Sequence, residues 1–237
     1  MTIRLYLEDA YRREFDARVL ASADGWWALS HSAFYPGGGG QPPDQGHLVA
    51  HGERLAVSAV REDEDSRRLW HRVMRDAPDS TPVRGALDWP YRYALMRHHA
   101  LMHVVNTVAA RHFDGIITGV QLGPDRSRID FRLPTPSPPV LTALEDRVND
   151  ALAEPRTIES GVITESEYRA RPELVRTLNV SPPVIDGRVR VVTITGFDTQ
   201  ACGGTHVHST TEIGRAKILK MENKGASNKR FYWTLTL

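Results

Sequence analysis

Over the first ~88 residues, apolar and polar positions alternate in short stretches separated by turn-like breaks. "IRLYLED", "EFDARVLASA", "WWALSHSAFY", "GHLVAHG", "RLAVSAV" and "RRLWHRV" carry the β-branched and aromatic residues that suit a pleated, half-buried surface. No stretch among them has a convincing helical period. The spacing predicts a small antiparallel β-barrel or sandwich, and "REDEDSR" reads as a solvated charged loop.

The period changes at "LDWPYRYALMRHHALMHVVNTVAARHF", where Leu95, Met96, Met102, Val105, Val108 and Ala109 recur at three- and four-residue intervals. That pattern predicts an amphipathic helix, with Asp88 as its cap and Pro90 near its start. "GVQLG" and "SRIDFRL" then read as strands, "PTPSPP" as a loop, and "VLTALEDRVNDALA" as a second helix. Strands follow at "RTIESGVIT" and "RVRVVTI". The final pair, "EIGRAKILKMEN" and "NKRFYWTLTL", faces across a turn at "KGAS". The expected division is a β-barrel domain over residues 1–88 and an α+β domain over 89–237.

Composition adds exclusions. The chain has 237 residues, 41% of them hydrophobic and 25% charged, as a globular protein with a sizeable core requires. A formal net charge of +1 excludes a basic coat, so any nucleic-acid contact must use a local patch. A single cysteine forms no intrachain disulfide, in keeping with a reducing compartment. No apolar run has the length of a membrane span, and "MTIRLYLEDAYRREF" lacks the apolar core of a signal peptide. The expectation is a cytoplasmic protein.

Two local spacings carry chemistry. In "HHALMH", His99 and His103 stand at i and i+4, stacked on one face of the helix. Ala100 occupies the place where a metalloprotease of that pattern has its glutamate, which argues against peptide hydrolysis by that route. In "DTQACGGTHVH", Cys202 and His206 flank two glycines that let the backbone turn tightly. Together the pairs form a Cys-His₃ set suited to zinc. Separately each has an ordinary reading: helical histidines as packing residues, and the cysteine as a small buried hydrophobe or a nucleophile with His206 as base. His98, His112 and His208 read as surface residues or as outer partners of a ligand.

"RHHALMHVVN", "PDRSRIDF" and "CGGTHVHSTTEIGRAKILKMENKGASNKR" resemble the editing domain of alanyl-tRNA synthetases, and "AFYPGGGGQPPDQG" resembles that family's glycine-rich motif. Threonyl-tRNA synthetase editing domains share the two-pair signature, but the glycine-rich motif favours the alanyl group. The synthetase's aminoacylation core would not fit in this chain, so the resemblance is to the free-standing alanyl-tRNA editing proteins of the AlaX type. It implies an α+β tRNA-editing domain, of the second-additional-domain type, with a zinc site and preceded by a small antiparallel β-barrel. It implies zinc ligation by His99, His103, Cys202 and His206, and hydrolysis of the ester of mischarged tRNA(Ala), most often the seryl ester.

Relatives often place a small hydroxyl residue inside the HxxxH spacer, whereas this chain has Ala100, Leu101 and Met102. Recognition of serine then falls to Thr118 and to the glycine-rich loop, with Gly38, Gly39 and Gln41 approaching the substrate. A zinc that acts in catalysis needs an open position, so either one ligand, with His206 the candidate, is displaceable or the ion expands to five-coordinate. The cations of the C-terminal hairpin, Arg215, Lys217, Lys220, Lys224, Lys229 and Arg230, are expected to contact the tRNA acceptor end. The alternatives are a zinc-containing tRNA-binding module without activity, or a hydrolase for another aminoacyl-tRNA.

Overall fold

The computed structural model describes residues 1–133, 137–174, 184–225 and 228–236. The chain divides into two compact units, one of Met1–Gly38 with Pro42–Tyr93 and the other of Gly39–Gln41 with Ala94–Leu237. The first half of the expected "PTPSPP" loop and the end of "KGAS" lie outside the described residues.

The first unit contains β1 (Ile3–Arg4), α1 (Leu5–Glu8), β2 (Glu14–Ala23), β3 (Trp26–Leu29), β4 (His31–Ser32), β5 (Gly46–Ala50), β6 (Glu53–Val57), β7 (Ala59–Glu62), β8 (Leu69–Arg72) and β9 (Pro82–Leu87). Seven strands form one antiparallel sheet in the order β6-β5-β9-β2-β3-β8-β7. Its two edge strands are separated in sequence by Ser58 alone, so the sheet has to curl. The result is a half-barrel and not the closed barrel expected, because the hydrogen-bonded path stays open between β6 and β7. Strand β2 turns the corner: Glu14–Arg18 pair with β9, Val19–Ala23 pair with β3, and the register shifts between Val19 and Ala21. Phe15, Val19, Trp27, Leu29, Phe34 and Leu48 fill the concave side.

Two further sequence expectations are corrected in this unit, and one strand was not read from the sequence. "IRLYLED" is a strand only at Ile3–Arg4; Leu5 and Tyr6 are consecutive and both buried, which a helical turn allows and one-faced strand alternation does not. "RLAVSAV" is two strands broken at Ser58. "PVRGAL" forms β9 although Pro82 and Gly85 weaken its strand signal, because its buried positions still alternate.

Two buried polar groups brace the same unit. Arg92 and Asp44 both have fully buried side chains. Arg92 donates from Nε to Asp44 Oδ1 at 2.8 Å, pairs through Nη2 with Oδ2, and caps the carbonyls of Ala10 and Ala33. Asp44 also accepts from Tyr35 N, and its own amide donates to Tyr35 O, so the two feet of the glycine-rich loop are tied together. His71 is fully buried, with Nδ1 on Trp27 O at 3.2 Å and Nε2 beside Ser32 Oγ at 2.8 Å. Since Trp27 O can only accept, Nδ1 carries the proton and Nε2 accepts from Ser32.

The second unit is built around α2 (Trp89–Phe113), which begins in the first unit; Asp88 Oδ1 accepts from Tyr91 N at its start. The helix is not amphipathic as expected: every residue from His98 to Ala109 is buried, His98 among them, so this segment is a central element enclosed on all sides. Strands β10 (Ile116–Gln121), β11 (Ser127–Arg132), β16 (Arg215–Asn223) and β17 (Asn228–Thr236) make one antiparallel sheet in the order β10-β11-β17-β16. Helix α3 (Pro138–Ala153) guards its β16 edge. Asn149 brackets the amide and carbonyl of Ala216, and Glu145 accepts from Ile218 N, using the backbone groups an open edge would leave exposed. A second sheet joins β12 (Ile158–Thr164), β14 (Arg188–Ile194) and β13 (Val184–Ile185), with β15 (Asp198–Ala201) pairing the other half of β14. A short helix, α4 (Glu165–Arg169), follows β12. Among the described residues no helix is long and apolar enough to cross a membrane.

Two outcomes are expected. Asp44→Ala leaves Arg92 charged and buried without its partner, and should cost about 3–5 kcal/mol in urea unfolding; a loss below 1 kcal/mol would count against the buried pair as a brace. Burial pushes His71 down to about 4, opposed by its bond to Trp27. The unfolded imidazole titrates near 6.5, so this contribution is complete above that pH. It is lost as pH falls through 4, by about 3 kcal/mol. Unfolding followed by tryptophan emission should show that acid loss in the native chain and a smaller one in His71→Gln.

Candidate metal centre

Cys202 and His206 lie in the connection that leaves β15, and His99 and His103 lie on α2. Their four donor atoms fall within 4.8 Å of one another. Cys202 Sγ is 3.5 Å from His99 Nε2 and 3.8 Å from His206 Nε2, which in turn is 3.2 Å from His103 Nε2. Nitrogen and sulfur ligands bound at 2.0–2.3 Å to a single tetrahedral ion stand roughly 3.3–3.6 Å apart. The four side chains therefore enclose a space of the right size for one ion. All three imidazoles are buried and Cys202 is half-buried.

Neighbouring groups fix how the donors face. Gln41 is 2% exposed, and its Oε1 accepts from His99 Nδ1 at 2.9 Å and from Thr205 N at 3.1 Å. Its Nε2 donates to Thr205 Oγ1 at 2.8 Å. With the proton of His99 held on Nδ1, the Nε2 lone pair points at the other donors, the arrangement in which a carbonyl oxygen orients a metal-binding histidine. Gly204 is required by space: a Cβ there would lie 2.2 Å from His99 Cε1. Arg190, on β14, donates to the carbonyls of Cys202 and Gly204 at 2.9 and 2.8 Å and shapes the turn between them. Behind His103, Gln200 Nε2 bonds its carbonyl, while Gln200 Oε1 accepts from Asn106.

Electrostatics disfavour protonation of His99 and His206. Burial, then His103, then Arg190 hold His99 well below its ordinary value; burial, then His99, His103 and Arg190 do the same for His206. Burial pushes the Cys202 thiol up, against the pull of the Gly204 amide and Arg190. Unprotonated imidazoles are what a metal ion needs. A thiol shifted upward is a poor free nucleophile, which argues against Cys202 as an unassisted attacking group.

The other sequence candidates fall in different places. Gly37 to Gly40 all adopt positive φ, and a Cβ on Gly40 would lie 2.6 Å from Val120, so the loop must be bare to reach β10. Gly39 belongs to the second unit with Gln41, and Gly38 to the first. Thr118 is half-buried and donates to Asn228 Oδ1 at 2.8 Å. Among the hairpin cations, Arg215, Lys217, Lys220 and Lys224 are exposed and Arg230 is half-buried. Lys229 points the other way: it is 6% exposed, with its ammonium on Asn223 Oδ1 and Gly225 O. His112 and His208 are exposed. Sequence reasoning missed the positioning roles of Arg190, Thr205 and Gln200, since nothing in their local spacing marks them.

Residues 189–232 match the family described as the threonyl and alanyl tRNA synthetase second additional domain. The chain is 36% identical to the alanyl-tRNA editing protein AlaX-M of Saccharolobus solfataricus, over 99% of both chains. It is 37% identical to the AlaX-M protein of Methanosarcina barkeri, again over 99% of both. The alanine–tRNA ligase of Pyrococcus furiosus is 35% identical over 93% of this chain and 24% of the ligase.

Loss of the Gln41 carbonyl should free the His99 ring. Gln41→Leu is expected to weaken metal affinity by about 10–100-fold in a competitive chelator titration, with the circular dichroism unchanged. Native affinity in that variant would show that His99 needs no such support.

Proposed function

Since the chain belongs to the family of alanyl-tRNA editing proteins, we propose that it is a zinc-dependent hydrolase that removes the wrong amino acid, serine, from tRNA(Ala). The observation that carries this reading is the convergence of three buried imidazoles and one half-buried thiol from segments 103 residues apart in sequence, with His99 oriented by Gln41 and the Cys202–Gly204 turn held by Arg190. A Cys-His₃ donor set of this softness suits zinc. His99, His103, Cys202 and His206 would hold the ion, with His206 the ligand proposed to yield its place; bound there, zinc would supply Lewis-acid activation of the ester or of water.

An active site sized for alanine rejects serine poorly, because a hydrophobic pocket discriminates weakly against one added hydroxyl, and a separate hydrolytic site supplies the missing selectivity. In the reaction, water adds to the aminoacyl carbonyl and the bond to the ribose oxygen breaks, releasing the free amino acid and a tRNA with its terminal hydroxyl restored. The protein's own groups position the reactants. Gln41 holds the His99 proton on Nδ1 and, among the described residues, keeps one Nε2 hydrogen uncommitted for a substrate hydroxyl. Gly38 and Gly39 offer backbone without side chains, and Thr118 adds a hydroxyl near β10. Ala100, Leu101 and Met102 are buried and offer no polar group, so selection of serine rests on the loop and on Thr118. Arg215, Lys217, Lys220, Lys224 and Arg230 supply charge for the phosphates of the acceptor end, and Lys229 holds the hairpin in shape. The reaction takes place where aminoacylated tRNA is, in the cytoplasm.

The test is deacylation of purified Ser-, Gly- and Ala-tRNA(Ala) with and without a chelator. Ser-tRNA(Ala) should be cleaved and Ala-tRNA(Ala) spared, with activity lost on chelation and restored by zinc. Cys202→Ala and His99→Ala should each fall by at least about 100-fold. Turnover that survives chelation, or persists in both variants, would remove zinc from the reaction.

A further inference from the structure

The sheet β10-β11-β17-β16 sorts its charges onto one face. In β11, Ser127, Ile129 and Phe131 are buried, while Arg128, Asp130 and Arg132 alternate to the opposite side. The register continues that side across the sheet: Arg128 faces Tyr232, which faces Lys220, and Asp130 faces Arg230, which faces Glu222. Strand β16 begins with Arg215 and Lys217 on this side, opposite Thr236 and Thr234. Two residues further on, strict alternation would carry the pattern to Leu219 and turn Lys220 inward. A register shift between Ile218 and Lys220 inserts one residue and returns Lys220 and Glu222 to the side of Arg215 and Lys217.

The strands thus place six cations, Arg128, Arg132, Arg215, Lys217, Lys220 and Arg230, on a face with two carboxylates, in a chain whose net charge is only +1. Both carboxylates are already engaged. Asp130 takes Arg230 through two bonds of 2.8 Å and Arg128 at 3.1 Å, and Glu222 takes Lys220 at 2.6 Å. Amid these charges lies the ring of Tyr232, with Lys220 Nζ 4.5 Å and the Arg126 guanidinium 5.8 Å from its centroid. A flat aromatic ring ringed by cations on an open β-sheet face is the combination that takes single-stranded nucleic acid: phosphates meet the cations and a base stacks on the ring. Cations alone would also suit an anionic membrane surface; the aromatic ring among them is what favours a nucleic-acid base.

We infer that this face binds the single-stranded 3′ end of tRNA, with one base stacked on Tyr232 and phosphates on Arg132, Arg215, Lys217 and Lys220. The inference rests on the tRNA reading above and deepens it by naming the surface. Lys220 is exposed and has a flexible stem, so its ammonium can leave the ring for a phosphate as the base takes its place. Arg128 and Arg230, tied to Asp130, give the platform its rigidity.

The experiment is fluorescence anisotropy of the full chain with a labelled single-stranded RNA of the tRNA 3′ end, over a potassium chloride series. Tyr232→Ala should weaken binding about tenfold without changing the salt slope, and Tyr232→Phe should bind as the native chain does. The exposed double variant Arg215→Gln/Lys217→Gln should reduce the slope by about 1.4, two contacts at about 0.7 each. Native affinity in Tyr232→Ala together with a native slope in the double variant overturns the inference, whatever the deacylation assay gives. RNA binding that depends on Tyr232 in a chain that deacylates nothing would overturn the hydrolase reading and leave this surface standing.

Discussion

A polar group buried in a protein must find a partner, and helix α2 carries four of them in a row. Arg92, His99, His103 and Asn106 are spaced by seven, four and three residues, which places them along one side of the helix. Each is answered by a different distant segment: Asp44 for Arg92, Gln41 for His99, His206 for His103 and Gln200 for Asn106. The demand for partners along this stripe determines where the glycine-rich loop and the strand leading to Cys202 must lie.

The answers differ in kind. Arg92 meets a carboxylate and several carbonyls, so the charge is neutralised and its donors are used, the condition under which a buried ion pair is tolerable. The histidines meet one another and a thiol. Three imidazoles, two of them held unprotonated by burial, and one sulfur have lone pairs to offer, an arrangement that gains from a cation. Gln41 connects these two situations. It belongs to a loop whose feet are bound by Tyr35 and Asp44, and its amide sets the direction of the first ligand.

The two pairs of candidate ligands were legible in the sequence because each is local: four residues along a helix, and four across a glycine turn. Which residues orient them was not legible. Gln41 and His99 are 58 residues apart, and Arg190 acts on backbone carbonyls that no spacing rule identifies. Burial was misread where tertiary packing overrides pattern. His98 reads as a surface residue beside His99, yet α2 is enclosed on every side there, so no face of it remains wet. Lys229 sits in a run of cations that alternation would put in solvent, but its parity matches Phe231 and Trp233, and it turns inward with them. In the first unit, strand spacing announced a β architecture correctly, while the open path between β6 and β7 depends on hydrogen bonding that a pattern of apolar positions does not encode.

The assignment of Gly39–Gln41 to the second unit has a consequence for modularity. The unit that carries all four candidate ligands is discontinuous in the chain, and its smallest part is a tripeptide enclosed by the sequence of the other unit. A fragment beginning at Ala94 would inherit every donor atom and still lack the amide that aims the first of them. A substitution in the glycine-rich loop would therefore reach the candidate metal centre without touching any of its donors.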